Sequence, residues 1–203
     1  MQSRNQKLAG VALATVVGSV IACSKPPAEQ NVSAVPAAAS IPNEIVVTEG
    51  TNMAATASPD GRTVVIDLLG NLWTVPATGG DTKRITDVLF EARQPDFSPK
   101  GDKIAFQGYL DDGWDIWTVK PDGSEATRVT NGELDDREPQ WSPDGARIAF
   151  SSDRTGNYDI WMLDAASGRL TQVTKHAAQD SQPAWSPDGR EIAFVSDRDK
   201  GGI

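Results

Sequence analysis

The sequence predicts an all-β fold, a partial β-propeller built from repeated four-stranded antiparallel sheets, and three observations support this prediction. The tetrapeptide Ser-Pro-Asp-Gly begins at residues 58, 142 and 186, and Ser-Pro-Lys-Gly begins at residue 98. Tryptophans recur in the same register, at residues 73, 117 and 161. The chain after the N-terminal region shows no convincing apolar period of 3.6 residues, which argues against helices. Four-stranded units that repeat every 40–45 residues or so are typical of propeller blades.

One repeat unit, residues 136–174, shows how each strand is predicted. In its Ser-Pro-Asp-Gly turn, Pro143 presets φ for the second position, and Gly145 takes the left-handed conformation that closes a hairpin with a bulge. Short β-rich or alternating runs flank this turn and are separated by polar loops and turn residues. The predicted strands are residues 139–141, 147–151, 158–163 and 170–174.

The predicted propeller region covers residues 44–203 and contains about three and a half blades. The blades lie near residues 51–86, 92–130, 136–174 and 180–203, and the last of them is incomplete. Residues 44–48 look like a fourth strand that lacks a blade. Because repeat arrays need closure or capping to protect their strand edges, we expect these residues to be the N-terminal part of a longer protein. A short chain that completes its ring by dimerising is the alternative.

A sixteen-residue motif carries a resemblance to a known family. Pro-x-Trp-Ser-Pro-Asp-Gly-x-x-Ile-Ala-Phe-x-Ser-Asp-Arg occurs at residues 139–154 and again at 183–198. It resembles the WD-like repeat of TolB propellers, and the resemblance covers about residues 45–203. The first two units depart from the motif because they lack Asp-Arg, and the second has Tyr109-Leu110 in its place. The motif indicates the fold and says little about activity, because such repeats occur in many unrelated proteins.

The N-terminus has the pattern of a bacterial lipoprotein signal peptide over residues 1–22. Arg4 and Lys7 precede an apolar stretch that is too short for a secure membrane span. Val20-Ile21-Ala22-Cys23 resembles the lipobox, in which the cysteine is diacylated and becomes the new N-terminus. The sequence therefore predicts a lipid anchor at Cys23. An ordinary secretory signal followed by an unrelated cysteine is the alternative.

Residues 23–43 are predicted to be a disordered, extended linker that follows the anchor. They are rich in Pro and Ala and cannot bury much apolar surface. The predicted location is the periplasmic side of the cell envelope. By analogy with the lipoprotein family, Ser24 directly after the cysteine favours the outer membrane.

Composition and motifs exclude several classes of function. The chain has 19 Lys and Arg against 28 Asp and Glu, a net charge of −9, which argues against a nucleic-acid partner because phosphate binding needs a basic face. His176 is the single histidine, and the chain has no Gly-x-Ser-x-Gly, His-x-His or Cys/His metal pattern. We therefore expect no catalytic residue, no metal-ligand set and no cofactor in these residues. Calcium held by acidic loops is a weak alternative.

Acidic and arginine side chains cluster in the loops that join blades and in the loops within blades. In a four-stranded meander both kinds of loop emerge on the same face, where they would surround one channel mouth and form a binding rim. The alternative is that the Asp side chains cap turns and pair with neighbouring Arg to fix the loops. The predicted rim consists of Asp111, Asp112, Asp136, Arg137, Asp153, Arg154, Asp180, Asp197 and Arg198.

Three functions are compatible with these features. The first is a lipid-anchored, non-catalytic binding or scaffold propeller whose partner is a periplasmic protein or peptide. The second is a propeller that gates substrate for a catalytic domain in the same parent chain, because residues 49–54 and 67–73 resemble the start of propellers joined to metal-dependent amidohydrolase domains. A serine peptidase is another such parent. The third is a component of the Tol–Pal envelope system, although the lipobox argues against it. We expect binding without catalysis, and membrane contact only through the lipid.

Overall fold

The computed structural model describes residues 53–86, 91–111 and 113–198. The chain divides into two compact units, Met1–Val46 and Val47–Ile203, and all described residues belong to the second. The predicted signal peptide, the Cys23 anchor, the linker and the strand at residues 44–48 lie outside the described residues. Asp112 of the predicted rim also lies outside them.

The described residues form three four-stranded antiparallel sheets and one two-stranded sheet, in which strands are paired in chain order. Blade 1 consists of β1 (Ala55–Ala57), β2 (Thr63–Leu68), β3 (Asn71–Pro76) and β4 (Lys83–Arg84). Blade 2 consists of β5 (Glu91–Phe97), β6 (Ile104–Leu110), β7 (Gly113–Val119) and β8 (Thr127–Arg128). Blade 3 consists of β9 (Asp136–Trp141), β10 (Arg147–Ser152), β11 (Asp159–Asp164) and β12 (Leu170–Gln172), and blade 4 of β13 (Asp180–Trp185) and β14 (Ile192–Ser196). The predicted fold class, an all-β partial propeller, is confirmed.

The Ser-Pro-x-Gly turns join the first and second strands of each blade, as predicted. In blade 3 the Gly145 N–H donates to the Ser142 carbonyl over 2.8 Å, and Gly145 has a φ of 70°. The Ser142 N–H donates to the Arg147 carbonyl, also over 2.8 Å. Glycine adopts this left-handed conformation at little cost because it has no Cβ atom. Side chains of the tetrapeptide add to this geometry, because the Ser142 hydroxyl accepts from the Arg147 N–H over 2.9 Å and Asp144 Oδ1 accepts from the Ala146 N–H over 3.0 Å.

The hydrophobic core lies between neighbouring sheets. One cluster joins blades 1 and 2 and includes Val65, Leu72 and Phe106, while a second joins blades 2 and 3 and includes Ile116 and Phe150. Both phenylalanines are completely buried. Successive side chains of a strand point to opposite sheet faces, so each blade can pack against two neighbours at once.

The repeated tryptophans were predicted to pack between blades, and the structure shows this packing. Trp141 is 9% exposed and belongs to the core, and Trp117 and Trp161 pack against its edge. Trp185 of blade 4 is half-buried, and its indole N–H donates to the Gln140 carbonyl of blade 3 over 3.2 Å.

The first strand of each blade is called here the inner strand. In blades 2, 3 and 4 the inner strand carries a bulge that the sequence analysis did not predict. Gln94, Glu138 and Gln182 each stand directly before a proline and have φ values of 52°, 59° and 53°. The pairing register of β5, β9 and β13 with the second strand of the same blade shifts at these positions. A residue before proline normally favours extended backbone, so a left-handed residue there has to be held by other contacts.

Those contacts come from the preceding blade. The Gln94 N–H donates to Asp67 Oδ2 of blade 1 over 2.8 Å, and the Glu138 N–H donates to Gln107 Oε1 of blade 2 over 2.9 Å. Asp67 and Gln107 occupy equivalent positions on the second strands of their blades. A side-chain oxygen of one blade therefore accepts the backbone N–H that the bulge of the next blade exposes.

The junction between blades 3 and 4 satisfies the same N–H in a different way. The equivalent second-strand residue is Ser151, whose side chain is shorter. Glu138 Oε2 accepts from both the Ser151 hydroxyl, over 2.8 Å, and the Gln182 N–H, over 2.6 Å. Glu138, which is bonded to Ser151, thus accepts the hydrogen bond that the shorter serine does not accept, and the bulge N–H of blade 4 is still bonded to the preceding blade.

We expect Asp67→Ala to lower the free energy of unfolding by about 2–4 kcal/mol, because two partly buried backbone N–H groups lose their acceptor. Asp67 is 7% exposed and accepts from the Ala54 N–H over 2.7 Å as well as from Gln94. Urea denaturation of the full chain, followed by tryptophan fluorescence, measures the change. Asp67→Asn keeps one oxygen acceptor and should lose about half as much. Equal losses in Asp67→Ala and in the exposed control Asp60→Ala would contradict this role.

Candidate functional site

The loops between the second and third strands of a blade and the loops that join one blade to the next emerge on one side of the described propeller, called here the loop face. In blade 3 an Asp-Arg clasp ties these two loops together. The Arg154 guanidinium donates to both carboxylate oxygens of Asp136 over 2.8 Å and lies 4.8 Å from the ring centroid of Trp161. Asp153 Oδ1 accepts from the Asp135 N–H over 2.9 Å. Because Asp136 is 2% exposed, the arginine neutralises a charge that is out of contact with water.

Blade 4 repeats the Asp-Arg clasp. Arg198 forms an ion pair with the fully buried Asp180, and Asp197 Oδ1 accepts from the Gln179 N–H over 2.7 Å. Burial raises the pKa of Asp180, but hydrogen bonds from Ser196, Thr174 and Arg198 outweigh it and leave the pKa below its ordinary value. The carboxylate is therefore held ionised within the fold.

Most of the predicted rim residues belong to the two clasps. Asp136, Asp153, Arg154, Asp180, Asp197 and Arg198 hold the loops of blades 3 and 4 in place. Asp111 lies in an exposed turn with a φ of 63°. Arg137 lies elsewhere, in a group of residues that surrounds Trp114.

This second group, the aromatic–arginine cluster, consists of Arg93, Tyr109, Trp114 and Arg137. The guanidinium carbons of Arg93 and Arg137 lie 5.8 Å and 5.4 Å from the ring centroid of Trp114, and the Tyr109 ring lies 5.5 Å from it at an angle of 59°. Tyr109 is 41% exposed, and Trp114 is partly exposed. The cluster stands where blade 2 lacks the Asp-Arg clasp.

Asp135 holds the cluster against blade 3. Its carboxylate accepts from the Trp114 N–H over 3.1 Å, from the Tyr158 hydroxyl over 3.2 Å, and from the Arg137 guanidinium. Burial raises the pKa of Asp135, but these hydrogen bonds outweigh burial and leave the pKa below its ordinary value. Arg93 is paired with Glu91 at a more exposed position. Each of the two arginines therefore has an acidic partner.

The sequence analysis places Arg137 in the predicted rim and does not include Arg93, Tyr109 or Trp114 in it. Trp114 stands outside the 44-residue tryptophan series, at the position that Tyr158 occupies in blade 3. The available signal was the replacement of Asp-Arg by Tyr109-Leu110 in the second unit. In the sequence alone, that replacement is a departure from the family motif and does not indicate which residues meet there.

The inner strands line a cavity of about 230 Å³ whose walls include Ala55, Gln94, Glu138 and Gln182. Within the described ranges, no three His, Cys, Asp or Glu side chains come together to hold a metal ion. No helix in those ranges is long and apolar enough to cross a membrane.

Comparisons with known proteins agree with this architecture. The family model described as the tricorn protease N-terminal beta propeller domain matches residues 112–202. A TolB-type protein from Agrobacterium tumefaciens has a similar structure, with 32% sequence identity and a TM-score of 0.64, over 69% of this chain and 52% of that chain. The described residues form a TolB-like propeller. No curated protein sequence matches the chain significantly.

Two further structures share the fold of this TolB-like propeller at lower identity. TolB from Acinetobacter baumannii is 23% identical with a TM-score of 0.63, over 70% of this chain and 37% of that chain. Puromycin hydrolase is 19% identical with a TM-score of 0.61, over 71% of this chain and 25% of that chain. The chain thus spans about half the length, or less, of the structures it resembles.

One carboxylate of the TolB-like propeller should give its stability a distinct pH dependence. Asp96 Oδ2 accepts from the Trp141 N–H of the next blade over 2.6 Å. Burial raises the pKa of Asp96 from 3.8 to about 6, and the Trp141 hydrogen bond offsets this only in part. The folded state therefore holds its proton more tightly than the unfolded state. The stabilisation of the folded state by protonated Asp96 is complete below about pH 4 and is lost as the pH rises towards about 6.

We expect the free energy of unfolding of the wild type to fall by about 1–3 kcal/mol relative to Asp96→Asn between pH 4 and pH 7. The asparagine does not ionise and keeps a carbonyl oxygen for the Trp141 N–H. Urea denaturation at several pH values gives both curves. Parallel curves for the two proteins would contradict the raised pKa.

Proposed function

We propose that this TolB-like propeller is a non-catalytic binding module that docks a protein or peptide on its loop face. The aromatic–arginine cluster is the observation that supports this function most strongly. Trp, Tyr and Arg dominate the binding energy of protein interfaces because they bury large areas and form directed hydrogen bonds. Here all three types lie together and are partly exposed.

The order of the cluster favours binding. Glu91 and Asp135 orient the two arginines, and the Trp114 backbone is bonded to Asp135. Side chains that are already fixed lose little conformational freedom when a partner arrives, so more of the contact energy appears as affinity. The Arg93 side chain is 54% exposed, and its remaining N–H groups are accessible to a partner.

A photo-crosslinking experiment tests the docking face. p-Benzoylphenylalanine replaces Tyr109 on the loop face or, as a control, the exposed Arg190 directly after the Ser-Pro-Asp-Gly turn of blade 4. We expect one discrete adduct from position 109 in the native host, without the same adduct from position 190. Adding Trp114→Ala should lower the yield about tenfold, since it removes the aromatic centre of the cluster. The urea midpoint of the Trp114→Ala protein checks that the fold is intact. Equal adducts from both faces, or none from position 109, would refute the proposal.

The proposed location is the periplasmic side of the cell envelope, with a lipid anchor at Cys23 in the outer membrane. The lipobox-like residues 20–23 and the likeness to TolB structures support it. We expect Cys23→Ser to move the protein from the membrane fraction to the soluble periplasmic fraction and to abolish palmitate labelling. Ser24→Ala, a neighbouring change that keeps the cysteine, should leave both unchanged. A Cys23→Ser protein that stays in the membrane fraction would count against the anchor.

The second candidate is a propeller that gates substrate for a hydrolase domain of the same parent chain. The specific support is that similar propellers occur in much longer chains, because this chain covers 25% of puromycin hydrolase and 16% of tricorn protease. No such observation supports an amidohydrolase, in particular, as the parent protein. The same holds for a component of the Tol–Pal system. The crosslinking experiment separates the main candidates: a partner protein adds its mass to the adduct, whereas a domain of the same chain changes gel mobility without added mass.

A further inference from the structure

The third strand of each four-stranded blade carries a polar residue at an equivalent position, and the surroundings of this residue differ between blades. The three residues are Asn71, Asp115 and Asp159. In blade 2 the fully buried carboxylate of Asp115 forms an ion pair with Arg128 of the fourth strand. In blade 1 the equivalent residues are Asn71 and Arg84, and Arg84 is exposed. The arginine therefore turns inward in the blade that has a carboxylate and not in the blade that has an amide.

Blade 3 keeps the carboxylate and lacks the arginine. Asp159 is 2% exposed, and Gln172 occupies the place of Arg128. Asp159 Oδ2 accepts from the Thr155 hydroxyl and from Gln172 Nε2, both over 3.0 Å. Asp159 Oδ1 accepts from the Thr174 hydroxyl and the His176 N–H, both over 3.3 Å. These four donors are neutral, so the buried charge is hydrogen-bonded but not neutralised by them, which is costly away from water.

A pocket of about 390 Å³, called here the Asp159 pocket, opens beside this carboxylate. Its lining includes Thr155, Asn157, Gln172 and His176, together with Lys175 at an exposed position. A volume of this order accommodates a small organic group. The pocket therefore combines a buried negative charge, hydroxyl and amide oxygens, and access from the loop face.

We propose that the Asp159 pocket binds the guanidinium group of an arginine side chain from a partner protein. The bound guanidinium forms an ion pair with Asp159, as Arg128 does with Asp115 in blade 2. Arginine suits the pocket better than lysine because its planar fork can replace the neutral donors Thr155 and Gln172 on Asp159 Oδ2 and still donate to other oxygens of the pocket. This inference rests on the proposed function in that it assigns chemistry to the docked partner, but it uses none of the residues of the aromatic–arginine cluster.

Agmatine, which carries a guanidinium group without a carboxylate, is the probe for the pocket. We expect saturable binding to the full chain, with NMR shift changes confined to the residues that line the Asp159 pocket. Gln172→Arg should weaken agmatine binding about tenfold or more, because its own guanidinium fills the site. It should also raise the urea midpoint, because the buried carboxylate gains a partner. Thr171→Arg adds the same charge at an exposed neighbouring position and should leave the affinity within about twofold.

Two further measurements sharpen the test. Lys175→Gln removes a cationic side chain from the pocket lining and should tighten agmatine binding about two- to threefold. The diamine putrescine, which has ammonium groups only, should bind more weakly than agmatine. The proposal fails if the wild type shows no saturable agmatine binding or if Gln172→Arg binds as the wild type does. Agmatine binding without a loop-face adduct would refute the docking function alone, and an adduct without agmatine binding would refute the pocket alone.

Discussion

The hydrogen bond that each inner-strand bulge donates to the preceding blade is the interaction on which the rest of the structure depends. A left-handed residue before proline is unfavourable in isolation, and the N–H that it exposes is costly to bury without an acceptor. Asp67, Gln107 and Glu138 supply the acceptors at three successive junctions. Hydrophobic packing holds the sheets against each other, but packing is not directional. The hydrogen bonds set how far one sheet is displaced relative to the next.

Two of the candidate binding residues are neighbours of these bulges. Arg93 and Arg137 come one residue before the bulged Gln94 and Glu138, and from two successive blades both guanidinium groups lie near the Trp114 ring. Blade 4 has Ser181 at the equivalent position, so the arginine before the bulge occurs in blades 2 and 3 and not in blade 4. A rigid repeated scaffold can thus present a non-repeated group of side chains at one place on its loop face.

Variation between the blades separates structural residues from candidate functional residues. The Asp-Arg dipeptide of blades 3 and 4 closes a buried ion pair within its own blade. Blade 2 lacks the dipeptide and carries an exposed aromatic group there, and blade 3 lacks the arginine that neutralises the buried aspartate in blade 2. A missing repeat partner leaves either exposed aromatic surface or a buried carboxylate whose hydrogen-bond donors are all neutral. Both are features that a ligand or a partner can satisfy.

The sequence by itself determined the all-β class, the four-stranded repeat and the Ser-Pro-x-Gly hairpins, because these follow from local φ preferences and from a spacing that recurs along the chain. It also indicated inter-blade tryptophans such as Trp141. Only the tertiary structure decided that Asp136 and Asp180 are buried by their own arginines, and that Arg93, Trp114 and Arg137 meet. Those contacts join residues from different strands and blades, and their distances depend on an inner-strand bulge that has no local signal in the sequence.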